Sequence, residues 1–287
     1  TYLVSKLARQ HVTVSLSGDA GDEMFGGYNR YLWGKDVWNK LKWMPSIMRH
    51  TIGSCIQKTP TSVWNSLGSA LPSQYKTASM GTKMHRLSYR LKTVSSLDDM
   101  YHSLVTESYQ EGCMVNGVNT LLKTKIRTDK LIAEFPDSEH RMMLWDSVIY
   151  LPDDILTKVD RAAMGVSLET RIPFLDHKVV ELAWRMPLNM KIKGKIGKWP
   201  LRQVLYRHVP KELIDRPKAG FSIPIGQWMR GPLREWAEEL LNESRLKEEG
   251  YFNHKIVRKI WNQHLSGRHD FASTLWAVLM FQAWLEV

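Results

Sequence analysis

Apolar and small polar positions alternate through Val12-Thr13-Val14-Ser15-Leu16, the period-two pattern of a strand. Gly18 breaks the pattern, and an acidic turn, Asp19-Ala20-Gly21-Asp22-Glu23, leads into Met24-Phe25-Gly26-Gly27-Tyr28. Residues 12–28 therefore predict a strand, a tight turn and the start of a helix. From about 35 to 140, Met, Leu, Trp and Tyr recur at helical spacing, with breaks at Pro45, Pro60, Pro72, Gly112 and Pro136. Short helices packed around a core account for that stretch. Beyond 139 the pattern sharpens. A helix is predicted over 139–149. Pro152 is placed in the first turn of the next, with Asp153 and Asp154 near its positive end, and that helix runs to about Gly165. Asp176 caps another helix that ends before Pro187. Further helices fall at 198–208, 232–242, 254–266 and 271–285, and Pro210 and Pro217 bracket a connector. The fold class is mainly α with one or two strands, without internal repeats or low-complexity segments.

Composition adds limits. The 287 residues are 43% hydrophobic and 24% charged, ordinary values for a globular chain, and twelve Trp and ten Tyr supply apolar area for a core. No run of about 20 uncharged apolar residues exists, so no membrane span and no membrane partner are expected. The first residues carry no basic-then-apolar signal pattern, and the chain opens in what reads as mid-helix, without an initiator Met, so a fragment is expected. Cys55 and Cys113 fit no zinc or redox spacing; buried free thiols and a reducing cytoplasm are the expectation. The net charge of +11 asks for an anionic partner. Lys and Arg are scattered, without the aromatic interleaving of RNA-binding modules, which argues against nucleic acid. A polyphosphate nucleotide accounts for part of the charge, and solvated surface for the rest.

Three stretches carry candidate chemistry. In Ser17-Gly18-Asp19-Ala20-Gly21-Asp22-Glu23, a strand end, small residues and a helix start expose backbone N–H groups that suit phosphate oxygens. The carboxylates would repel a phosphate unless a cation stood between, and hard oxygen ligands suit Mg²⁺. The alternative is a capped helix start with solvated acids. Gly26-Gly27 lacks the spacing of a dinucleotide fingerprint. The second stretch runs from Asp160-Arg161 through Glu169-Thr170-Arg171 to Asp176. Asp160 and Arg161 fall at a helix end, and Glu169 and Arg171 share a face if their stretch is extended. An ion-paired scaffold and a substrate pocket both fit, since buried charges need partners. In the third, Arg216-Pro217-Lys218-Ala219-Gly220-Phe221-Ser222, a loop lysine can reach a phosphate as a point charge, or simply be a surface lysine.

Together these stretches resemble the synthetase domain of glutamine-dependent asparagine synthetases, of the ATP pyrophosphatase fold group. Ser17 to Tyr28 is similar to the family's acidic loop, and Ser167-Leu168-Glu169-Thr170-Arg171-Ile172-Pro173-Phe174-Leu175-Asp176 to its central signature. Lys218 with Gly220-Phe221-Ser222 is similar to its lysine loop, and Leu275 to Leu285 to its terminal helix. The matches run in the family's order over 1–287, with a loose middle. The resemblance implies the C-terminal portion of an α/β, adenine-nucleotide α-hydrolase-like synthetase domain. It implies ATP and Mg²⁺, and conversion of aspartate to asparagine through β-aspartyl-AMP with ammonia from glutamine. Lys218 matches the lysine that stabilises charge on the transferring phosphate. Asp22 matches the Mg²⁺-holding acid. Asp19 matches the position that manages the ammonia proton, where many relatives carry the longer Glu. Ser17, Gly18, Asp160, Arg161, Glu169 and Arg171 are candidates for nucleotide or substrate binding.

The family's Ser-Gly-Gly-x-Asp-Ser phosphate loop is not in this sequence, nor is the glutaminase part with its nucleophilic cysteine. Both are expected upstream, in the full-length chain. The isolated chain is expected to be inactive and the 12–16 strand to show a bare edge. A homodimer is one assembly open to it. Two alternatives stand beside this reading: a paralogue that amidates another carboxylate, and a non-catalytic helical binding module.

Overall fold

The computed structural model describes residues 1–70, 80–106, 114–118, 134–215, 223–267 and 269–287. It divides into two compact units, Thr1–Asn39 with Thr124–Lys218, and Lys40–Lys123 with Ala219–Val287.

The first unit is organised by two short parallel strands, β1 (Val14–Leu16) and β2 (Glu169–Arg171). Val14 pairs with Glu169, Ser15 with Thr170 and Leu16 with Arg171. The ladder extends by one bond at each end: Glu169 N donates to Thr13 O at 3.0 Å, and Ser17 N donates to Arg171 O at 2.8 Å. Parallel pairing needs a long crossover, and here more than 150 residues separate the partners. The strand predicted at 12–16 thus forms, shortened by two residues. Among the described residues β2 is its one neighbour, and Leu16 is 74% exposed. Such an apolar, half-paired strand is the bare edge the sequence predicts.

Behind β1 the chain turns into the helix Gly21–Phe25, whose Met24 and Phe25 are buried with Ala20, Leu151 and Ala183. Phe174, from the turn after β2, meets Phe25 edge to face at 5.9 Å. Asp176 caps the helix His177–Arg185 as predicted: its side chain accepts from Lys178 N at 2.9 Å. That helix also ends before Pro187.

One helical expectation is corrected. The helix predicted over 139–149 and the separate one starting at Pro152 are a single rod. An α-helical segment, Ser138–Trp145, runs into an 11-residue π-helix, Asp146–Leu156, and then into the α-helix Thr157–Met164. Pro152 lies inside it. A proline clashes with the carbonyl four residues back in an α-helix, whereas the wider π winding moves that carbonyl aside. π segments concentrate at functional sites, and this one borders the acidic loop's helix.

Lys191, at the end of the short helix Leu188–Lys191, is fully buried, and among the described residues its Nζ has no hydrogen-bond partner. It faces the Trp184 ring at 4.9 Å, and burial lowers its pKa from 10.5 to about 8. The unfolded chain therefore binds more protons between those values, so stability rises with pH across that window and the full cost is carried below pH 8. Lys191→Met is expected to stabilise the chain by about 1–3 kcal/mol at pH 7. The gain should shrink as pH rises toward 10.5. Urea unfolding of both proteins at pH 7 and pH 10 checks this; a less stable variant at pH 7 would contradict it.

The second unit is helical. Helices Ser46–Lys58, Thr61–Ser69 and Met80–Thr93 pack together, and Leu97–Val105 joins the last of them. The other part holds Ile225–Arg230, Arg234–Leu240, Glu243–Glu249, His254–Leu265 and Ala272–Trp284. Its core comprises Leu240, Leu241, Val257, Ile260, Trp261, Leu275 and Leu279, all at most 1% exposed. The predicted helices 232–242, 254–266 and 271–285 are these, to within two residues at each end. His264 is buried in this core and its pKa falls from 6.5 to about 4 through desolvation, with Arg230 adding to the effect. Cys55 corrects a second expectation: it is a free thiol, but exposed, because it lies on the outer face of Ser46–Lys58. Cys113 lies outside the described residues.

Candidate functional site

The acidic loop leaves β1 through Ser17 and reverses at Ala20, which is buried and holds a left-handed φ of 65°. A non-glycine residue there costs about 1–2 kcal/mol, so packing must hold the turn. The three carboxylates that the sequence places in one turn separate. Asp19 accepts a short hydrogen bond from the Ser17 hydroxyl. Asp22 pairs with Lys198 at 2.8 Å, both side chains being about a quarter exposed. Glu23 turns inward: it is 1% exposed and accepts from the Tyr28 hydroxyl at 2.7 Å. Burial raises its pKa, against the opposing effect of the Tyr28 hydrogen bond, and burial also drives the Tyr28 pKa upward. Glu23 is thus a buried anchor, and Asp19 and Asp22 are the acids left at the surface of the loop.

Beneath the loop is a compact polar network. Asp146, the first residue of the π-helix, is fully buried and receives Arg30 at 2.9 Å through Nε and 2.7 Å through Nη2. It also accepts a short hydrogen bond from the Tyr31 hydroxyl. The Arg30 guanidinium lies 3.9 Å from the Tyr28 ring centroid and 5.2 Å from that of Tyr150. Asp146 and Tyr150, four residues apart, share a face of the π-helix. Tyr28, held to Glu23 on one side and to Arg30 on the other, links this network to the acidic loop.

Lys198 is the functional candidate that sequence reasoning missed. It caps the helix Trp199–Leu205 with a left-handed φ of 55°, and its N–H donates to Phe25 O at 3.0 Å. The approach depends on glycines. A Cβ on Gly197 would overlap the Gly26 carbonyl, and one on Gly27 would overlap both Asp22 and the Lys198 side chain. Gly26-Gly27 therefore lets Lys198 reach the loop. The helix 198–208 was legible, but nothing in sequence spacing connects position 198 to position 22.

The second motif comes together with the first through backbone pairing. Ser17 N bonds to Arg171 O, so the acidic loop and the 169–171 stretch leave the same end of the strand pair. Glu169 and Arg171 lie on one face of an extended segment, as predicted, joined at 2.7 Å. Both are exposed, as are Asp160 and Arg161 on Thr157–Met164. Glu169 and Arg171 thus form an ion pair in solvent, on a three-residue strand with one neighbour among the described residues. The Thr157–Met164 helix packs on β2, which keeps Asp160 and Arg161 on the adjoining element. Gly18 is exposed, with open space where a Cβ would be. Lys218 and its Gly220-Phe221-Ser222 neighbours lie outside the described residues.

For Mg²⁺, the donor chemistry fits in part. Asp19 and Asp22 are hard oxygen donors three residues apart in a turn, but among the described residues no three His, Cys, Asp or Glu side chains converge. A hexacoordinate cation here would take its other ligands from phosphate and water, the usual arrangement for Mg²⁺ on a nucleotide.

Fold and site define a largely helical domain that presents an acidic, glycine-containing turn at the carboxyl end of parallel strands. That is where open parallel sheets bind their ligands. The chain belongs to the asparagine synthase family, whose family model matches residues 1–286. It is 28% identical over its whole length to glutamine-hydrolysing asparagine synthetase 1 of Bacillus subtilis (strain 168), covering 42% of that protein. It is 30% identical to a putative glutamine-hydrolysing asparagine synthetase of Mycobacterium tuberculosis (strain H37Rv), over 99% of this chain and 40% of that one. The human glutamine-hydrolysing asparagine synthetase is 30% identical over 148 residues, which is 45% of this chain and 25% of that protein. The chain thus spans about two fifths of the length of the bacterial relatives it matches throughout.

Proposed function

We propose that residues 1–287 are part of an ATP pyrophosphatase-type synthetase domain that forms the amide of asparagine. The observation that carries this reading is the bond between Ser17 N and Arg171 O, which puts the two most specific motifs at one strand end. In the complete protein, ATP would adenylate the β-carboxylate of aspartate with loss of pyrophosphate, and ammonia released from glutamine by a glutaminase domain would displace AMP. Asp22 would take Mg²⁺, and Asp19 would handle the proton of the incoming ammonia. Lys218 would stabilise charge on the transferring phosphoryl oxygens. Ser17 and Gly18 lie at the strand end where phosphate would approach, and Glu169, Arg171, Asp160 and Arg161 on the neighbouring elements would face nucleotide or aspartate. When bound, Mg²⁺ supplies charge neutralisation for the polyphosphate. Lys198 holds Asp22 in place on the apo loop. The exposed thiol of Cys55 agrees with a reducing cytoplasm.

Leu16 and Val14, the exposed apolar residues of β1, call for covering strands, and the bacterial relatives matched over the whole chain are more than twice as long as it is. We infer that the covering part also supplies the phosphate loop, so residues 1–287 alone should not turn over ATP. Calorimetry with ATP and Mg²⁺ followed by a pyrophosphate-release assay with aspartate is expected to show neither binding nor release. Turnover by the isolated chain would mean that residues within 1–287 supply the phosphate cradle, and the assignment of half a site would fail.

A further inference from the structure

The positive charge is unevenly placed in a way that counting cations alone conceals. Between Val37 and Leu97 the chain carries nine Lys and Arg and neither Asp nor Glu, which is most of its net charge of +11. This acid-free stretch lies in the second unit, apart from the first few residues, and its described residues are largely helical there. The helix Ser46–Lys58 is pinned on one side. Ser88 Oγ donates to Gly53 O at 2.7 Å, and a Cβ on Gly53 would come within 2.8 Å of the Lys92 side chain. Gly53 and Ile56 are buried on that side.

Among the described residues the opposite side has no such cover. Trp43 is 75% exposed, Ile47 81% and Met48 50%. Thr51, Cys55 and Lys58 continue the exposed face at helical spacing, and Lys40, Lys42 and His50 are exposed beside it. An indole and two large aliphatic groups in water, beside cations whose nearest acid in sequence is Asp36, one helical turn before Lys40, form an amphipathic corner rather than a solvated face.

We propose that the Lys40–Lys58 corner docks on an anionic lipid surface. Trp43 would sit at headgroup depth, where its ring is favoured, with Ile47 and Met48 entering the acyl boundary. Lys40, Lys42 and Lys58 would lie over the anionic headgroups. A duplex nucleic acid would engage the cations but leaves no place for Ile47 and Met48. The contact is with the face of a bilayer; no helix among the described residues is long and apolar enough to cross one. This departs from the sequence expectation of no membrane partner, which rested on the lack of a span. It is independent of the amide-forming reading.

The test is co-sedimentation of the 287-residue chain with phosphatidylcholine vesicles, and with vesicles in which about a third of the lipid is phosphatidylglycerol. Binding is expected only to the anionic vesicles, weakening as salt rises. Trp43→Ser/Ile47→Ser and Lys40→Glu/Lys42→Glu should each weaken it at least about tenfold. All four side chains are exposed, so both variants should fold as the parent does, which circular dichroism checks. Absence of binding to anionic vesicles, or binding that both variants leave intact, overturns the proposal. So does tight duplex DNA binding indifferent to Trp43→Ser/Ile47→Ser. A dimer in sedimentation velocity that this apolar variant dissociates would reassign the face to a second copy of the chain.

Discussion

Asp146→Ala is expected to cost about 3–5 kcal/mol of folding stability. The carboxylate is fully buried and receives both Nε and Nη2 of Arg30 as well as the Tyr31 hydroxyl. Its removal leaves a mostly buried guanidinium and a buried phenol facing a cavity, and an orphaned charge costs far more than the intact pair contributes. The double variant Arg30→Met/Asp146→Leu should therefore recover much of the loss, because neither charge remains buried. Urea unfolding of the three variants measures this directly. The outcome also bears on the acidic loop. Arg30 stacks on Tyr28, and Tyr28 holds Glu23, so a loosened Arg30 should loosen the segment carrying Asp19 and Asp22. If Asp146→Ala unfolds within about 1 kcal/mol of the parent, the network is not the foundation of the loop.

The second large effect is catalytic. In the complete parent protein, Lys218→Ala is expected to lower asparagine synthesis by at least about 10²-fold, the scale for losing a charge contact that forms in the transition state. Glutamine hydrolysis should continue at its normal rate, because it belongs to the other domain of the proposed enzyme. Separate assays of glutamate and asparagine distinguish the two. Synthesis at the parent rate would return Lys218 to the status of a surface lysine.

Sequence pattern made much of the fold readable, and the reasons are local. The alternation at 12–16, the Asp176 cap and the three C-terminal helices are each dictated by a few adjacent residues, and each forms where expected. The winding of 146–156 was not readable in the same way. A proline in a helical run has two outcomes, a break or a wider coil, and local pattern does not choose between them; the contacts of Asp146 with Arg30, and of Tyr150 with Arg30 and Tyr28, join residues more than 100 positions apart in sequence. The site divides along the same line. Asp19, Asp22, Glu169 and Arg171 were readable as motifs, and the pairing of Glu169 with Arg171 followed from an extended backbone. The fate of Glu23 was not, because carboxylates in one turn look equivalent until the core claims one of them. Lys198 was hidden for a related reason: its approach to Asp22 is made by glycines at 26, 27 and 197 that meet only in three dimensions.

The most direct measurement is pyrophosphate release from ATP by the complete parent protein, with Mg²⁺ and ammonia, across a panel of carboxylic acids. The account predicts release that depends on aspartate and is matched by asparagine formed, with little release for glutamate or for acids lacking the α-amino group. Release with a different acid and none with aspartate would contradict it and would make the protein an amide-forming relative with another acceptor.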